Sequence, residues 1–431
     1  MCGAFFYAKM GKGARAHFPD SRPPLSSSDL LHKKIQSPPI LYNGTTIVDH
    51  EELIETAPLF ILISTYLSYL VLIAVGHTRD LLDRIFYPKT LHAYQCKDGV
   101  APLSSGFDTF YHRRLYSRIK DCFERPITNV PGRTLTLLER TRPSINQGPL
   151  TLTGKTREAL NLSSYNYLGF AQSQGPCADA VEEAIKKYGV STGSSRSEVG
   201  TNNLHLKTEK LVAEFLGQED AIIVSMGFAT NSTCLPAFVG KGCLIISDEL
   251  NHSSLVFGSR LSGAAIKIFK HNNWQDLELV LREAIAQGQN RTHRPWKKIL
   301  VVVEGLYSME GNIVCLPEIL ELKKKYRFYL YLDEAHSIGA LGPNGRGVCD
   351  YYGVDPNDVD LLMGTFTKSF GAAGGYIAGK KTIIDSLRLH SHSSVYAESI
   401  SIPVIEQIYT SMKIIMGAIG GEEGIKLSLI S

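Results

Sequence analysis

Short β-rich apolar runs alternate with helical patterns along the second half of the chain. Seven runs read as buried strands, at 221–225, 243–247, 265–269, 299–304, 328–333, 361–366 and 376–379. Helical patterns lie at 178–188, 204–216, 228–238, 252–262, 275–287, 316–325, 381–391 and 403–415. Continuous apolar strands flanked by helices are typical of a mostly parallel sheet that is covered on both faces. The pattern therefore predicts an α/β fold built on a seven-stranded, mostly parallel sheet.

An uncharged apolar stretch, APLFILISTYLSYLVLIAVG, occupies residues 57–76 ahead of this region. A helix of that length just crosses the hydrocarbon layer of a bilayer, at ~1.5 Å per residue. The alternative is a buried core helix, but such a helix usually carries one polar stripe, which is missing here. We predict one transmembrane helix over residues 57–78. It is not a cleavable signal, because roughly fifty residues precede it and no basic segment adjoins it.

The charges that flank this stretch predict its orientation. Acidic residues precede it and basic residues follow it: Asp49, Glu51, Glu52 and Glu55 before, Arg79, Arg84 and Lys89 after. The positive-inside rule then places the following domain in the cytosol. Residues 110–125, FYHRRLYSRIKDCFER, mix aromatic and basic side chains. They could form an amphipathic helix on the membrane surface, or a solvated helix packed on the following domain or on a partner subunit.

Composition narrows the classes of function. The 431 residues are 44% hydrophobic and 20% charged, which is ordinary for a globular protein. A net charge of +3 gives no bulk electrostatic support for a nucleic-acid partner. Eight cysteines without a C-x-x-C pair indicate reduced intracellular thiols, and neither a disulfide framework nor a metal site is predicted. A P-loop at Gly154-Lys155-Thr156 is excluded, because Pro149 stands where that motif needs glycine.

Lys368 and Asp333 form the most informative pair. Lys368 lies in GTFTKSFG after an apolar run, and Asp333 ends the run FYLYLD. A lysine in a Thr/Ser/Gly setting can form a Schiff base with pyridoxal phosphate, and an aspartate can keep the ring nitrogen protonated. A buried carboxylate is costly without a cationic partner, which that ring would supply, although a helix N-cap remains an alternative for Asp333. The pair predicts a pyridoxal phosphate site at the carboxyl ends of the strands.

Other candidates follow neighbouring strands. His252 could stack on the ring and help to move protons, or it could cap the next helix. His336 could reach the phenolic oxygen of the cofactor or orient the substrate. Strand-to-helix loops and hydroxyls offer further contacts to a phosphate. These weaker candidates are Gly227, Phe228, Ser308, Thr365 and Thr367.

The segments around these residues resemble the α-oxoamine synthase family of fold-type-I pyridoxal phosphate enzymes. Within that family they resemble more closely the catalytic long-chain-base subunits, of type 2 or 3, of the serine palmitoyltransferases. The resemblance covers roughly residues 110–415. It is carried by NLSSYNYLGF at 161–170, GSSRSEVGT at 193–201, DELNHSSL at 248–255, EGLYSMEG at 304–311, YLDEAHSIGALGPNGRG at 331–347 and GTFTKSFGAAGGY at 364–376.

The resemblance implies a role for each candidate. Lys368 would carry the cofactor, Asp333 would pair with its ring nitrogen and His252 would stack on the ring. His336 would contact the phenolic oxygen, and four residues would help to hold the cofactor: Ser308, Thr365, Gly227 and Phe228.

The resemblance also implies the reaction, which is the decarboxylative condensation of L-serine with a long-chain acyl-CoA to 3-ketosphinganine, in sphingolipid biosynthesis. The implied partner is the non-catalytic long-chain-base subunit, and the implied location is the cytosolic face of the endoplasmic reticulum membrane. Glycine-using synthases of the same fold are the alternative, which the apolar span disfavours.

The chain is expected to divide into five parts: a polar region at 1–56, the span at 57–78, a connecting segment at 79–150, the cofactor-binding domain at 151–415 and a tail at 416–431. The tail does not resemble the small carboxyl-terminal domain of the family, so that domain is expected to be largely absent. Arg388 is the only arginine after Lys368, and its segment does not match the one that binds the amino-acid carboxylate. A chain that binds the cofactor but turns over serine poorly is therefore expected, and a truncated, non-catalytic or regulatory form that binds the partner subunit is the alternative function.

Overall fold

The computed structural model describes residues 41–42, 45–46, 58–86, 110–116, 119, 122–132, 134–142 and 150–420. The described residues fall into two compact units. The first contains residues 41–129 and 135–159 of this set, and the second contains residues 130–134 and 160–420. Most of the predicted polar region at 1–56, and the tail beyond residue 420, lie outside the described residues.

The first unit contains the long apolar helix. Two short strands, β1 (Leu41–Tyr42) and β2 (Thr45–Thr46), pair antiparallel and precede helix α1 (Leu59–Phe86). Within α1, residues Leu59–Asp83 are long and apolar enough to cross a membrane and are almost wholly exposed. The helix predicted for 57–78 is thus present, and it continues to Phe86 because backbone hydrogen bonding does not stop where the apolar stretch ends.

The carboxyl-terminal part of α1 packs against the segment that begins at Phe110. The Phe110 ring stacks on His77, with centroids 4.1 Å apart and planes inclined by 6°. Arg114 pairs with Asp80, at 2.6 Å between Nε and Oδ1, and also with Asp83. The described start of the predicted amphipathic helix is therefore a helical turn held against α1. Residues 117–118 and 120–121 of that prediction lie outside the described residues.

Two further strands, β3 (Thr134–Thr141) and β4 (Thr151–Leu160), pair in a two-stranded sheet, and β4 is exposed along nearly its whole length. The main part of the second compact unit begins at residue 160, where β4 ends. The boundary predicted at residue 151 stays a prediction.

The second unit is built on the predicted seven-stranded sheet. Its strands are β5 (Asp220–Val224), β6 (Leu244–Asp248), β7 (Ala265–Phe269), β8 (Ile299–Glu304), β9 (Tyr329–Asp333), β10 (Leu361–Thr365) and β11 (Gly375–Gly379). They lie in the order β5-β11-β10-β9-β8-β6-β7. Strand β11 runs antiparallel to both neighbours, and the other pairs are parallel. The mostly parallel sheet is confirmed.

Helices cover the sheet on both faces. They are α2 (Pro176–Tyr188), α3 (Asn203–Leu216), α4 (Gly227–Phe238), α5 (Ser253–Ser262), α6 (Trp274–Gln287), α7 (Leu316–Tyr326), α8 (Val348–Tyr352), α9 (Lys381–His390), α10 (His392–Val395) and α11 (Ile402–Ile415). All eight predicted helices are present, and only the short α8 and α10 were not predicted. Successive strand residues enter opposite cores: in β8, Val301 and Val303 pack in one, and Leu300 and Val302 in the other. Burial on both faces explains why the strands are continuously apolar.

Close packing of α4 against α5 depends on Gly258. A Cβ atom at this position would lie 2.7 Å from the carbonyl oxygen of Asn231 and 3.1 Å from Leu235. We expect Gly258→Ala to lower the free energy of unfolding by about 1–3 kcal/mol, because an overpacked core must shift. Gly240→Ala is the matched control, since its Cβ would meet only the Ser262 carbonyl at 3.8 Å. Equal unfolding curves for the two variants would contradict this packing.

Candidate functional site

The predicted site residues meet at the carboxyl edge of the sheet. Asp333 is the last residue of β9, and Lys368 lies three residues beyond the end of β10. Glu304 ends the neighbouring strand β8 and is paired in register with Asp333. His252 lies at the start of α5, four residues after β6. Because parallel strands end on the same side, these groups converge at one edge.

The Asp333 carboxylate is buried, with only 4% of the residue exposed. Its Oδ2 accepts a hydrogen bond from Asn231 Nδ2 at 2.8 Å, and its Oδ1 accepts one from the backbone N–H of Ala335 at 2.9 Å. The hydrogen bond from Ala335 also closes the turn after β9. Asp333 therefore partly plays the capping role that the alternative assigned to it. Burial raises the pKa of Asp333, while the hydrogen bonds from Asn231 and Ala335 and the nearby Lys368 oppose that rise. No salt bridge to Asp333 occurs among the described residues.

Glu304 is a member of this cluster that the sequence reasoning did not select. It is 5% exposed, and its Oε1 accepts the backbone N–H of His252. Burial raises its pKa well above the usual range, and the charge of Asp333 raises it further. Two neighbouring buried carboxylates cannot both ionise cheaply. We infer that Glu304 keeps its proton and Asp333 carries the charge, because Asp333 has the hydrogen bonds from Asn231 and Ala335. The available signal was that Glu304, like Asp333, ends an apolar strand.

Lys368 is half-buried, and its Nζ lies 5.8 Å from the centroid of the Tyr165 ring. Burial lowers its pKa, while Asp333 and Glu304 favour the charged form. A lowered pKa increases the fraction of free amine, which is the nucleophilic form. The loop is held close by Gly371, which has φ 59°, and a Cβ there would lie 2.5 Å from the backbone nitrogen of Ala171.

His336 is held by an aromatic pair that sequence reasoning did not assign to the site. Its Nδ1 lies 2.9 Å from the hydroxyl of Tyr167, and its ring meets Tyr165 edge-on at 6.1 Å. Burial lowers the pKa of His336 to about 4, and the nearby Lys368 adds to the effect. The imidazole is therefore neutral at pH 7. Both tyrosines lie in the segment NLSSYNYLGF, whose only signal in the sequence was its resemblance to the family.

His252 fulfils the capping alternative and still lies in the cluster. Its Nδ1 accepts the backbone N–H of Ser254 at 3.2 Å, which caps α5, and lies 2.8 Å from the Ser254 hydroxyl. His252 keeps an exposed face, but partial burial of its ring at this edge lowers its pKa; Asp333 opposes the effect and Lys368 adds to it. The ring of Phe228 approaches His252 edge-on, with centroids 6.4 Å apart.

The start of α4 offers an anion site beside this group. Met226 precedes it without a side-chain cap, so the first N–H groups of the helix lack a side-chain partner there. A Cβ on Gly227 would lie 3.0 Å from the Thr365 methyl, which shows how closely β10 approaches the helix start. Ser308 is exposed in the turn after β8, and Thr367 is exposed beside Lys368. The structure therefore brings Gly227 and Thr365 together and leaves Ser308 at the rim.

Arg388 forms salt bridges outside the cluster around Lys368. Its Nη1 lies 2.6 Å from Asp220 Oδ2 and 2.9 Å from Asp385 Oδ1, and its Nη2 donates to the Ala221 carbonyl at 2.7 Å. Asp220 is the first residue of β5, so this network lies at the end of that strand opposite its carboxyl terminus. Arg388 consequently takes no part in the cluster around Lys368, as its sequence context predicts.

The donor set fits pyridoxal phosphate. Such a site needs an amine, a buried anion for the ring nitrogen and N–H groups for the phosphate. Lys368, Asp333 and the start of α4 meet these needs, and the burial of Asp333 without a cation is the observation that favours the fit. No cluster of histidine, cysteine and acidic side chains suited to a metal ion occurs among the described residues.

Comparison with known proteins agrees with this geometry. The family model described as aminotransferase class I and II matches residues 157–414. The chain belongs to this family.

Among its relatives, the chain is 52% identical over 374 residues to serine palmitoyltransferase 2 of Saccharomyces cerevisiae, covering 87% of the chain and 66% of the relative. It is 52% identical over 378 residues to serine palmitoyltransferase 3 of Homo sapiens, covering 87% and 68%. Among solved structures, the Sphingomonas wittichii serine palmitoyltransferase matches with 31% identity and a TM-score of 0.62, over 74% of each chain. A structure of a serine palmitoyltransferase with PLP matches with 29% identity and a TM-score of 0.62, over 76% of each chain.

The chain spans 63% to 66% of the length of three fungal relatives that are called serine palmitoyltransferase 2. The family match, residues 157–414, contains all seven strands of the sheet and its carboxyl edge.

Glu334 gives this edge of the sheet a pH dependence. It is 1% exposed and accepts the backbone N–H of Val348, at 3.0 and 3.1 Å, together with the Ser337 hydroxyl. Burial raises its pKa from 4.5 to about 7. A raised carboxyl pKa contributes stability that is fully present below pH 4.5 and is lost as the pH rises through 7.

We expect the free energy of unfolding to lose about 3 kcal/mol from this group between pH 4.5 and pH 8. Glu334→Gln removes that titration, so its unfolding curves change less over this range than those of the unsubstituted chain. The exposed Glu398→Gln serves as the control and keeps the original dependence. Parallel pH profiles for all three chains, measured by denaturant unfolding, would contradict the assignment.

Proposed function

We propose that this chain binds pyridoxal phosphate and acts as the catalytic long-chain-base subunit of a serine palmitoyltransferase. The reaction joins L-serine to a long-chain acyl-CoA and releases CO2 and free CoA, giving 3-ketosphinganine. The observation that carries the proposal is the buried Asp333 carboxylate beside the half-buried amine of Lys368. Identity of 52% to relatives called serine palmitoyltransferase 2 and 3 supports the choice of substrates.

The bound cofactor supplies an electron sink, and the residues of the chain serve it in distinct ways. Lys368 would attach it, with a lowered pKa that favours the free amine. Asp333 would keep the ring nitrogen protonated, because its buried carboxylate has hydrogen bonds but no salt bridge among the described residues. His252 would cover the ring, and neutral His336 would share a hydrogen bond with the phenolic oxygen. Four residues would help to hold the cofactor: Gly227, Phe228 and Thr365 beside the start of α4, and Ser308 at the rim.

We further propose that α1 anchors the chain as a single span in the endoplasmic reticulum membrane, with the α/β unit in the cytosol. The almost wholly exposed apolar face of Leu59–Asp83 supports a lipid environment, because exposed apolar surface is unfavourable in water. The partner is the non-catalytic long-chain-base subunit. Glycosylation reporters placed before and after α1 test the orientation: the account predicts modification of the first site alone, and modification of the second alone would contradict it.

The activity is tested with the partner present. The full chain is co-expressed with the non-catalytic subunit in cells that lack their own catalytic subunit, and membranes are supplied with labelled serine and palmitoyl-CoA. We expect labelled 3-ketosphinganine that depends on both chains and forms slowly, because Arg388 is paired with Asp220 and Asp385 and lies outside the cluster that would receive serine. Cofactor binding and co-purification without product would favour the alternative, a non-catalytic form that binds the partner. Absence of cofactor binding would contradict the proposal as a whole.

A further inference from the structure

Asn231 occupies a central place beneath the cluster. It lies on α4, is 1% exposed and makes three hydrogen bonds with side chains. Its Oδ1 accepts from the hydroxyl of Tyr331 at 2.6 Å, and its Nδ2 donates to Asp333 Oδ2 at 2.8 Å and to Ser254 Oγ at 2.9 Å. An ionised carboxylate only accepts hydrogen bonds, so the amide group must face Asp333 with its nitrogen. The orientation of Asn231 is thereby fixed.

The backbone N–H of Ser254 determines where the hydroxyl proton of Ser254 goes, because an N–H group can only donate and this one is directed at His252 Nδ1. Ser254 is 1% exposed, and its oxygen already accepts from Asn231. Its own O–H then points to His252 Nδ1, which lies 2.8 Å away. The backbone N–H of Ser254 donates to the same nitrogen at 3.2 Å. With two donors directed at Nδ1, that nitrogen carries no proton, and the proton of the neutral ring must lie on Nε2.

We propose that Asn231 and Ser254 are positioning residues, which form a relay from Asp333 to His252 and fix His252 as the tautomer protonated on Nε2. Nε2 is therefore a hydrogen-bond donor. The lone pair of Nδ1 accepts the hydrogen bonds from Ser254. Charging the ring at Nδ1 would turn the Ser254 hydroxyl away and break the chain of donors. The identity of the ligand that His252 would contact rests on the proposed function. The tautomer rests on these hydrogen bonds alone.

The charged and titratable groups that face His252 come from three neighbouring elements. Asp333 and Glu304 lie at the ends of β9 and β8, Lys368 follows β10, and His336 follows β9. Asp333 favours the charged imidazole and Lys368 disfavours it. The relay, like Lys368, disfavours the charged imidazole, because its hydrogen bonds bind the neutral ring. A neutral donor at this place can hold an anionic or carbonyl oxygen of a substrate without removing its proton.

The tautomer can be tested without measuring activity. Diethyl pyrocarbonate modifies the imidazole nitrogen that has a free lone pair, and mass spectrometry reports each histidine separately. His390 is an exposed internal reference of the opposite kind, because its Nδ1 lies 2.8 Å from the Ser386 carbonyl and must donate to it, which leaves the Nε2 lone pair open. In the purified full chain we expect His252 to react about tenfold more slowly than His390, although both residues are exposed. Equal rates would overturn the proposal.

Ser254→Ala removes the hydroxyl donor, and we expect His252 to react about threefold to tenfold faster. Ser253→Ala, a change at the exposed neighbouring residue of the same helix turn, should leave the rate unchanged. Equal rates in these two variants would overturn the role of Ser254. The buried His205 and His271 report on folding, because they stay unmodified while the fold is intact. If they react in Ser254→Ala, Ser254→Cys takes its place, with a smaller acceleration expected from its weak S–H donor.

Asn231→Ala tests whether the contacts act as a relay. We expect it to accelerate modification of His252, and the double variant with Ser254→Ala to react no faster than Ser254→Ala alone. Independent, multiplying effects would contradict a relay. A final arm adds pyridoxal phosphate, which should protect His252 if the ring stacks there. Failure of that protection counts against the proposed function and leaves the tautomer standing, so the two claims can fail separately.

Discussion

We expect the Lys368→Ala chain, co-expressed with the non-catalytic subunit, to lose covalent attachment of pyridoxal phosphate and at least about 10³-fold of its turnover. The physical reason is that, among the described residues, Lys368 is the amine whose charged form Asp333 and Glu304 favour, and its Nζ lies 5.8 Å from the centroid of the Tyr165 ring. The measurements are the visible absorbance of the bound cofactor and the formation of labelled 3-ketosphinganine.

Lys380→Ala is the matched control for this change. Lys380 is exposed at the start of α9 and carries the same charge, so its loss should leave absorbance and turnover close to those of the unsubstituted chain. Normal cofactor absorbance in Lys368→Ala, or equal losses in both variants, would contradict the assignment of Lys368.

We expect the second large effect at Asp333: its substitution should lower turnover much more than substitution of Glu304, the other buried carboxyl group. Asp333→Asn removes the charge that keeps the ring nitrogen protonated, and we expect turnover to fall by about 10²-fold or more. Glu304→Gln should cost less than about tenfold. Burial and the neighbouring Asp333 already keep Glu304 protonated, and a glutamine oxygen can still accept the His252 N–H. The pair therefore tests which carboxyl group holds the charge.

Both variants are compared by turnover, cofactor affinity and thermal unfolding. Asp333→Asn should bind the cofactor more weakly, and its unfolding midpoint should change little or rise, because a buried charge is removed. A severe loss in Glu304→Gln together with near-normal turnover in Asp333→Asn would show that the charge lies on Glu304 and would reverse the assignment.

The sheet could be predicted from the sequence because strands that are buried on both faces are continuously apolar. Runs such as ILVVVE and FYLYLD became β8 and β9 with bounds that match the prediction within one residue. The direction of β11 was not predicted, although a signal existed. Only nine residues separate the end of β10 from the start of β11. A parallel crossover needs a dozen or more residues, so this short link favours the antiparallel pairing that is found.

The site was only partly predictable for a related reason. Asp333 and Lys368 stood out because each breaks an apolar context, and a charge in such a place needs an explanation. Asn231 and Tyr167 are ordinary residue types on a helix and a loop, and only the fold brings them to Asp333 and His336. The long-range pairs are separated by 102 and 169 positions along the chain. No local pattern records such contacts.

The sequence also left the membrane-proximal segment open between two interpretations. The described turn at His112–Tyr116 packs with Phe110 against the end of α1, and its Arg114 is paired with Asp80 and Asp83. Paired in this way, Arg114 is directed to α1, which is neither the membrane surface nor the domain or partner subunit that the two interpretations named, so both stay predictions. Spacing alone could not reveal this, since basic and aromatic residues suit both a lipid surface and a helix contact.

The most direct test of the central claim is to find where the cofactor attaches. The full chain is purified with pyridoxal phosphate, reduced with borohydride and digested, and the pyridoxyl label is mapped by mass spectrometry. The account predicts that the label lies on Lys368, at close to one per chain, and that Lys368→Ala carries none. A label on another lysine, or a chain that binds the cofactor without any label on Lys368, would contradict it.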